Sequence, residues 1–312
     1  MTNMTAGRPH RRLAGALTII AAVMVASLQD AFIKDVSGGY PVHQMQTIRS
    51  GVALLLILGW IAIRGDLRPL FATRPSLLLL LRAFVLSLAS LSFYLALAAM
   101  HFPDAVSIYF SMPFMIAALS GLVIGEKVPA SRWLAVGVAF IGVMIVMQPG
   151  SGVFEPASLI ALFSTFCYAI GLMLTRPLGT KIDANVIGLW QMIFYAGSGV
   201  LLSLVLGSGA FYDPAHPSLS YLTAGWKVPS PVDLLILIGT GFGAAAATVL
   251  YTVAYRIAAP SFVAPLEYSN LLWVSIWSYV FWREIPSETT LSGAALIIAA
   301  GLWMIWKDRH PG

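Results

Sequence analysis

The chain has 312 residues, 59% of them hydrophobic and only 10% charged, against roughly 25% charged in soluble domains. That composition marks a membrane protein, with the lipid bilayer as its standing partner. The net charge of +5 does not indicate nucleic-acid binding, because the basic residues sit singly in short loops and form no patch or stripe. The one cysteine, Cys167, lies inside an apolar run. It allows no intrachain disulfide and no cysteine-built metal site, and it reads as a small buried hydrophobe.

Apolar segments fall near residues 13–33, 42–63, 76–100, 104–125, 132–148, 157–175, 186–206, 232–255, 260–282 and 290–306. Each has about the length that a tilted spanning helix needs, which predicts an all-α integral membrane protein with ten transmembrane helices. The first segment follows Arg8, Arg11 and Arg12 and superficially looks like a signal peptide, but its length and the total count favour a retained helix.

Taking the amino terminus as cytoplasmic and alternating sides puts Arg8, Arg11, Arg12, Arg64, Arg68, Arg74, Lys127, Arg132, Arg176, Lys181, Arg256, Lys307 and Arg309 inside. Only Lys34, Lys227 and Arg283 fall outside, while Arg49 and Arg82 lie within helices. This excess of inside positive charge predicts two cytoplasmic termini in a bacterial-type inner membrane. The longest interruption, Gly207 to Pro231, then faces the exterior. Its length suits a lid or binding loop, although Tyr212, Tyr221 and Trp226 equally suit interfacial anchors.

The ninth segment contains APLEYSNLLW, from Ala264 to Trp273, with Glu267 near 10 Å from its start at about 1.5 Å per residue. A charge at that depth costs about 2.5–3.5 kcal/mol on insertion scales and calls for a partner, a wet cavity or a proton. Asn270 shares its helical face at i+3, and Pro265 weakens the backbone one turn earlier. Residues Phe93 to Glu126 align without gaps on Tyr251 to Glu284, setting Tyr109 opposite Glu267 and Ser111 opposite Ser269. Each run ends in an acid followed by a proline, Pro129 or Pro286. Five spans in each half, an odd number, would make the second half enter the membrane inverted relative to the first.

These features, with RPSLLLLLRAF from Arg74, the segment IGEKVPASRWLAVGVAFIGVMIV, APLEYSN and FWREIPSETTLSGAALIIAAG, make the chain resemble the drug/metabolite transporter superfamily in its EamA-type ten-helix branch. In texture they are most similar to the bacterial S-adenosylmethionine and riboflavin carriers of that branch. Arg283 departs from the pattern, standing where small or polar residues are commoner. The resemblance implies two inverted five-helix repeats, residues 13–148 and 149–306, between cytoplasmic tails at 1–12 and 307–312. It also implies a secondary active transporter of a small polar organic metabolite working by alternating access, with a riboflavin-like or S-adenosylmethionine-like solute first. Export of an amino acid or amine by the same fold is the alternative. Arg82 carries a structural or gating role in this reading.

The candidate solute-binding residues are Glu267, Tyr268, Asn270, Tyr109, Ser111, Gln46, Arg49, Tyr94 and Trp190. Asp30, Glu267 and Arg82 are candidates for coupling or for an ion pair. Glu267 either binds a cationic group or proton, or pairs with Arg82. Gln29, Asp30 and Lys34 on the first helix and His43, Gln46 and Arg49 on the second form one polar side. Asp30 and Arg49 then make either a plain ion pair or the two poles of a zwitterion site. His43 is expected to be solvated near the interface.

Phe93, Phe110, Tyr168, Tyr195, Tyr251, Tyr255, Trp273 and Trp277 add aromatic surface for a flavin, nucleoside-like or aromatic solute. GTGFGA, Gly239 to Ala244, has the glycine pattern of a dinucleotide site but lies in a hydrophobic span, so a Gly239–Gly243 helix contact explains it better. Gly137, Gly142, Gly197, Gly199, Gly293 and Gly301 are expected to serve packing or bends.

No phosphate-binding loop for ATP is present, which leaves proton coupling or exchange. An intramembrane enzyme would need clustered acidic ligands, HExxH or a serine with a matched base, and a channel would need a filter. No cofactor is implied, and both a monomer and a homodimer are compatible with the sequence. Cysteines introduced at Ser208 and Gly179 are expected to label from opposite sides of the membrane; labelling from one side would overturn the ten-span arrangement.

Overall fold

The structure, a computed structural model, describes residues 8–63, 76–123, 130–148, 155–178, 182, 184–257 and 264–309. Expectations resting on Arg64, Arg68, Arg74, Glu126, Lys127, Pro129, Gly179 and Lys181 lie outside the described residues, as do the side chains of Arg8, Arg11, Arg12, Arg132, Arg176, Tyr255, Arg256 and Arg309. Among the described residues every regular element is helical.

The first half contains α1 (Arg8–Val36), α2 (Val42–Ile63), α3 (Leu77–Ala99), α4 (Phe102–Tyr109), α5 (Met112–Val123) and α6 (Ala130–Met147). The second contains α7 (Ala157–Leu178), α8 (Ala184–Leu206), α9 (Pro217–Thr223), α10 (Pro231–Ile257), a 3-10 segment (Ala264–Ser269), α11 (Asn270–Trp282) and α12 (Glu288–Arg309). Among the described residues six helices are long and apolar enough to cross a membrane by length and composition: residues 13–36, 42–63, 77–99, 157–175, 186–206 and 231–251. Large apolar side chains stand outermost, among them Leu55, Leu134, Leu204 and Leu235, as expected where the surrounding solvent is lipid.

Local chemistry sets the element boundaries. Ser76 caps α3, its hydroxyl accepting from the Leu79 N–H at 3.2 Å, which satisfies one of the orphan donors of a helix start. Met100 leaves α3 in an extended conformation, and Pro103 then opens α4, where its missing N–H costs nothing. Pro113 has no N–H to give the Tyr109 carbonyl, and the helix breaks at Phe110 and Ser111 just before it. The ungapped alignment of the two halves sets Met112 opposite Asn270, and these are the residues at which α5 and α11 begin. The first half turns at Phe110 and Ser111 and the second passes from 3-10 to α geometry after Ser269, so a new α-helix starts at the same place in the aligned runs. Arg283 ends α11 with φ 59° in the left-handed region, where glycine or asparagine is the favoured residue. This explains why small residues would suit the position.

The dominant helix pairs are α1 with α10, α3 with α7, α2 with α8 and α6 with α12, supported by α2 with α10 and α3 with α8. Exchanging α1 with α7, α2 with α8, α3 with α10 and α6 with α12 maps this set of six pairs onto itself, α2–α8 and α6–α12 each returning to themselves. The α6–α12 contact is a close backbone approach: a methyl on Gly293 would lie 2.6 Å from the Gly142 carbonyl, and one on Gly142 2.8 Å from the Gly293 carbonyl. Gly199 likewise meets α2 at Thr47 and the His43 carbonyl, whereas Gly137 and Gly197 face open space.

Two expectations are corrected here. A methyl placed on Gly239 would meet nothing within 4 Å, so it is Gly241, against Val52 and the Arg49 carbonyl, that seats α10 on α2, with Gly243 against Gln29. The contacting glycines are spaced by two, because one meets α2 and the other α1. His43 is fully buried rather than solvated. Its ring nitrogens lie 3.1 Å from Ser203 Oγ and 3.1 Å from the Ala224 carbonyl, and Trp226 Nε1 approaches Nδ1 at 3.1 Å.

The loop after α8 is thereby fastened to α2. Gln44 adds a two-way clasp on the Lys227 backbone, its Nε2 donating at 2.6 Å and its Oε1 accepting at 3.1 Å. Tyr221 is buried and Ser218 Oγ donates to the Leu95 carbonyl at 2.7 Å, so only Tyr212 and Trp226 retain the exposure expected of interfacial anchors.

Gly293→Ala is expected to lower unfolding stability by about 1–3 kcal/mol through overpacking, while Gly137→Ala should stay within about 0.5 kcal/mol of the native chain or exceed it. Thermal unfolding of the two variants in detergent checks this; equal stability would remove the α6–α12 backbone contact.

Candidate functional site

Ionisable groups inside a bilayer are retained only with partners, water or a task. Three helices bring such groups to one level. Counting at about 1.5 Å per residue from the helix ends that meet at Lys34 and Met100, Asp30 on α1, Arg49 on α2 and Tyr94 on α3 each lie about 8–10 Å down. Tyr94 donates its hydroxyl hydrogen to Asp30 Oδ1 at 2.8 Å. The Arg49 guanidinium sits over the Tyr94 ring, 5.2 Å from its centre, where the negative face of the ring attracts a cation. Arg49 Nε reaches Gln29 Oε1 at 3.4 Å. Tyr94, Gln29 and Arg49 are only 6%, 8% and 9% exposed.

Asp30 and Arg49 attract one another without a direct ion pair. Their charges address the two parts of one tyrosine, the hydroxyl and the face. The glycines of α10 make room for this arrangement, since a methyl at Gly243 would press on Gln29 Cβ at 3.2 Å. Gln46, one turn from Arg49, donates from Nε2 to Ser198 Oγ at 3.1 Å, and Ser87 donates to the same oxygen at 2.8 Å. Gln46 Oε1 remains buried without a partner.

An aromatic column descends from this level. Phe93 lies edge-on to Tyr94 and to Tyr109, at 5.5 and 5.8 Å between ring centres, and Tyr109 meets Tyr168 at 5.2 Å. Tyr109 and Tyr168 also share a side-chain hydrogen bond. Tyr195, in the middle of α8, lies within electrostatic reach of both Arg49 and Arg82. Glu267, half-buried in the 3-10 segment, acts electrostatically on Tyr168. Asn270 Oδ1, one turn on, is buried without a hydrogen-bond partner.

Not every candidate joins this column. Ser111 is buried and donates to the Ile108 carbonyl at 2.7 Å, where it stabilises the break before Pro113. Tyr268 packs on α12 with its hydroxyl against Gly301 and its ring 5.4 Å from Phe110. Trp190 packs with Leu79, Leu178 and Ile187 at the opposite end of the bundle. Arg82 does not pair with Glu267: its Nε donates to Thr175 Oγ1 at 2.6 Å. A threonine on α7 carries no signal in the sequence that would single it out as a guanidinium partner.

The sequence reading also missed the polar contacts that tie the two halves at the Lys34 end. His101 Nδ1 lies 3.0 Å from Glu284 Oε2, Thr290 bonds Asp104, Gln148 Nε2 donates to Thr289 Oγ1 at 2.6 Å, and Tyr40 donates to Asp233 Oδ2 at 2.6 Å. Lys34 Nζ sits over the Trp282 ring at 5.4 Å and donates to the Leu97 carbonyl at 2.9 Å. A cavity of about 270 Å³ opens beside His101, Asp104, Glu284 and Ser287.

Comparison with known proteins follows the same lines. Residues 13–148 match the EamA-like transporter family. The chain is 24% identical to a riboflavin transporter of Vibrio cholerae, over 96% of this chain and 96% of that one. It is 22% identical to an S-adenosylmethionine uptake transporter of Rickettsia prowazekii, over 95% and 94% respectively. A crystal structure 15% identical in sequence covers 97% of this chain and 99% of its own, with a TM-score of 0.62; that likeness concerns the fold.

Tyr94→Phe removes the hydroxyl from Asp30 but keeps the ring under Arg49. It is expected to lose about 1–3 kcal/mol by leaving a buried acceptor unpaired, and Tyr94→Ala more, about 3–5 kcal/mol, since a large buried ring goes as well. Denaturation of both variants in detergent measures the order; a Phe variant as damaged as the Ala variant would deny the ring its place between the charges.

Proposed function

Since the chain is a membrane transporter of the EamA type, we propose that it is a secondary carrier for a small polar, ring-bearing organic metabolite. Its solute would bind among Asp30, Tyr94, Arg49 and Gln46 at the head of the aromatic column. The observation that carries this reading is the pair of opposite charges held on one tyrosine without meeting each other. A direct ion pair would have consumed both. Held apart, they leave a carboxylate for a cationic group and a guanidinium for an anionic one, with aromatic edges alongside for a planar ring.

We place the solute in the riboflavin-like or S-adenosylmethionine-like class, which the two relatives are named for and which the aromatic surface suits. An S-adenosylmethionine-like solute carries both charges and a ring system, so it uses more of the site than a neutral flavin does. Glu267 and Asn270 would take part lower in the path, as a second polar station or the site of a coupling proton.

The architecture proposed is ten spans in two inverted five-helix units, 13–148 and 149–306, with both termini cytoplasmic. The coincident α-helix starts at Met112 and Asn270 and the interchange of helix pairs between halves support it. In this arrangement α4 with α5 forms the fourth span, and the 3-10 segment with α11 forms the ninth. The contacts His101–Glu284, Asp104–Thr290, Gln148–Thr289 and Tyr40–Asp233 each join one unit to the other at the end proposed to be external. They would hold that side shut and part when the halves rock.

Counterflow in proteoliposomes tests the proposal. Liposomes preloaded with unlabelled S-adenosylmethionine or riboflavin are expected to accumulate the labelled form transiently, and Asp30→Asn or Arg49→Gln should each lower the rate at least tenfold, about 1.4 kcal/mol. Native rates retained in both variants would move the solute elsewhere in the bundle.

A further inference from the structure

The strongest unexplained feature lies at the other end of α3. Arg82 is 6% exposed, and its Nη1 is buried with no hydrogen-bond partner. Its one hydrogen bond goes from Nε to Thr175 Oγ1 at 2.6 Å, and that hydroxyl in turn donates to the Gly171 carbonyl at 2.8 Å. The Thr175 hydroxyl is thereby fixed as an acceptor toward Arg82 Nε, and Nη1 takes no part in the contact.

The backbone around the pair is closely fitted. Leu86, one turn from Arg82, fills the place a methyl would take on Gly171, one turn from Thr175, at 2.4 Å. This seam joins the two halves of the chain, so the guanidinium is anchored by both. Among the described residues Tyr168 and Tyr195 are its electrostatic neighbours, and both belong to the aromatic column or its flank. Neither supplies a negative charge.

A buried guanidinium is ordinarily matched by a carboxylate or phosphate through two parallel hydrogen bonds. Here a neutral hydroxyl occupies one donor and a buried donor is left over, an arrangement costly to maintain in a protein that is never occupied there. We propose that Arg82 and Thr175 form an oxyanion subsite, distinct from the Asp30–Tyr94–Arg49 level, that takes the carboxylate or phosphate of an organic solute.

Twelve residues of α3 separate Arg82 from Tyr94, about 18 Å at the helical rise. A small solute cannot span that distance. The subsite is therefore a separate stop at the opposite end of the column, where an acidic solute arrives or leaves, and it selects for solutes bearing an acid group. The inference rests on the carrier reading for its meaning, but its binding chemistry can be examined alone.

The experiment uses the purified full chain in detergent and measures the concentration at which each of four probes raises the unfolding temperature. The probes form two matched pairs: S-adenosylmethionine with its carboxyl methyl ester, and riboflavin 5′-phosphate with riboflavin. In the native chain the acidic member of one pair should act at a concentration at least tenfold lower than its ester or neutral counterpart. The pair that does so identifies carboxylate or phosphate.

Arg82→Gln should erase that preference while the non-acidic member acts as before, and Arg82→Lys, which keeps the charge but not the planar fork, should restore part of it. Thr175→Val retains the guanidinium and loosens only its orientation; it should reduce the preference severalfold, and it keeps the test open if Arg82→Gln does not fold. Equal action of both members of each pair on the native chain would overturn the subsite, as would an acid preference unchanged in the variants. Counterflow by the native chain separates the two ideas. Its absence with the acid preference intact removes the carrier and leaves the subsite, and its presence with no acid preference removes the subsite alone.

Discussion

A carboxylate and a guanidinium withdrawn from water attract each other by about 4 kcal/mol at 4 Å in a partly screened interior, enough to draw them into contact unless something stands between them. In this bundle Tyr94 does. Its hydroxyl satisfies Asp30 and its face receives Arg49, so each charge has a partner and neither is neutralised. Such an arrangement gives up part of the stabilisation that a direct pair would supply. Sites that hold groups short of their most stable arrangement are commonly sites that bind or react.

The rest of the bundle can be understood as what keeps those three side chains level. Asp30, Arg49 and Tyr94 come from three consecutive helices, and α10 presses on two of them through Gly241 and Gly243. Its glycines let the backbone approach closely enough to trap Gln29 beside Arg49. The loop from α8 to α10 is fastened to the start of α2 by His43 and Gln44, which fixes the helix that carries Arg49. Among the described residues most of the polar contacts joining the two halves gather at this end, and Arg82 with Thr175 provides one near the other end.

Much of this was legible in the sequence, for reasons that can be traced residue by residue. Apolar length located the helices, and charges at membrane depth drew attention to Asp30, Arg49, Arg82 and Glu267. The gapless alignment of the two halves paired Tyr109 with Glu267 and Ser111 with Ser269 but gave no sign of a helix break; that α5 and α11 start at aligned residues is visible only in the structure. What could not be read were partners distant in the chain. Nothing local tells that His43 will meet Ala224 or that Arg82 will choose Thr175 over Glu267, because those choices are made by helix packing. Gly239 illustrates the same limit: a spacing of four suggested one helix contact, but α10 faces two helices at once and uses Gly241 and Gly243 instead. Trp190 looked like one more ring for a pocket, yet its position on α8 takes it to the other end, among aliphatic side chains.

Asp30 is kept either for cargo or for structure, and the two roles differ in what its loss does to the fold. The direct measurement is the unfolding stability of Asp30→Asn in detergent without any solute. If the carboxylate is retained for cargo, the variant should be as stable as the native chain or more so, since a buried charge has been removed and an amide can still accept from Tyr94. If Asp30 instead serves as the structural counter-charge of Arg49, the variant should lose about 3–5 kcal/mol, the cost of stranding one member of a buried pair, and the separated-charge site would be contradicted.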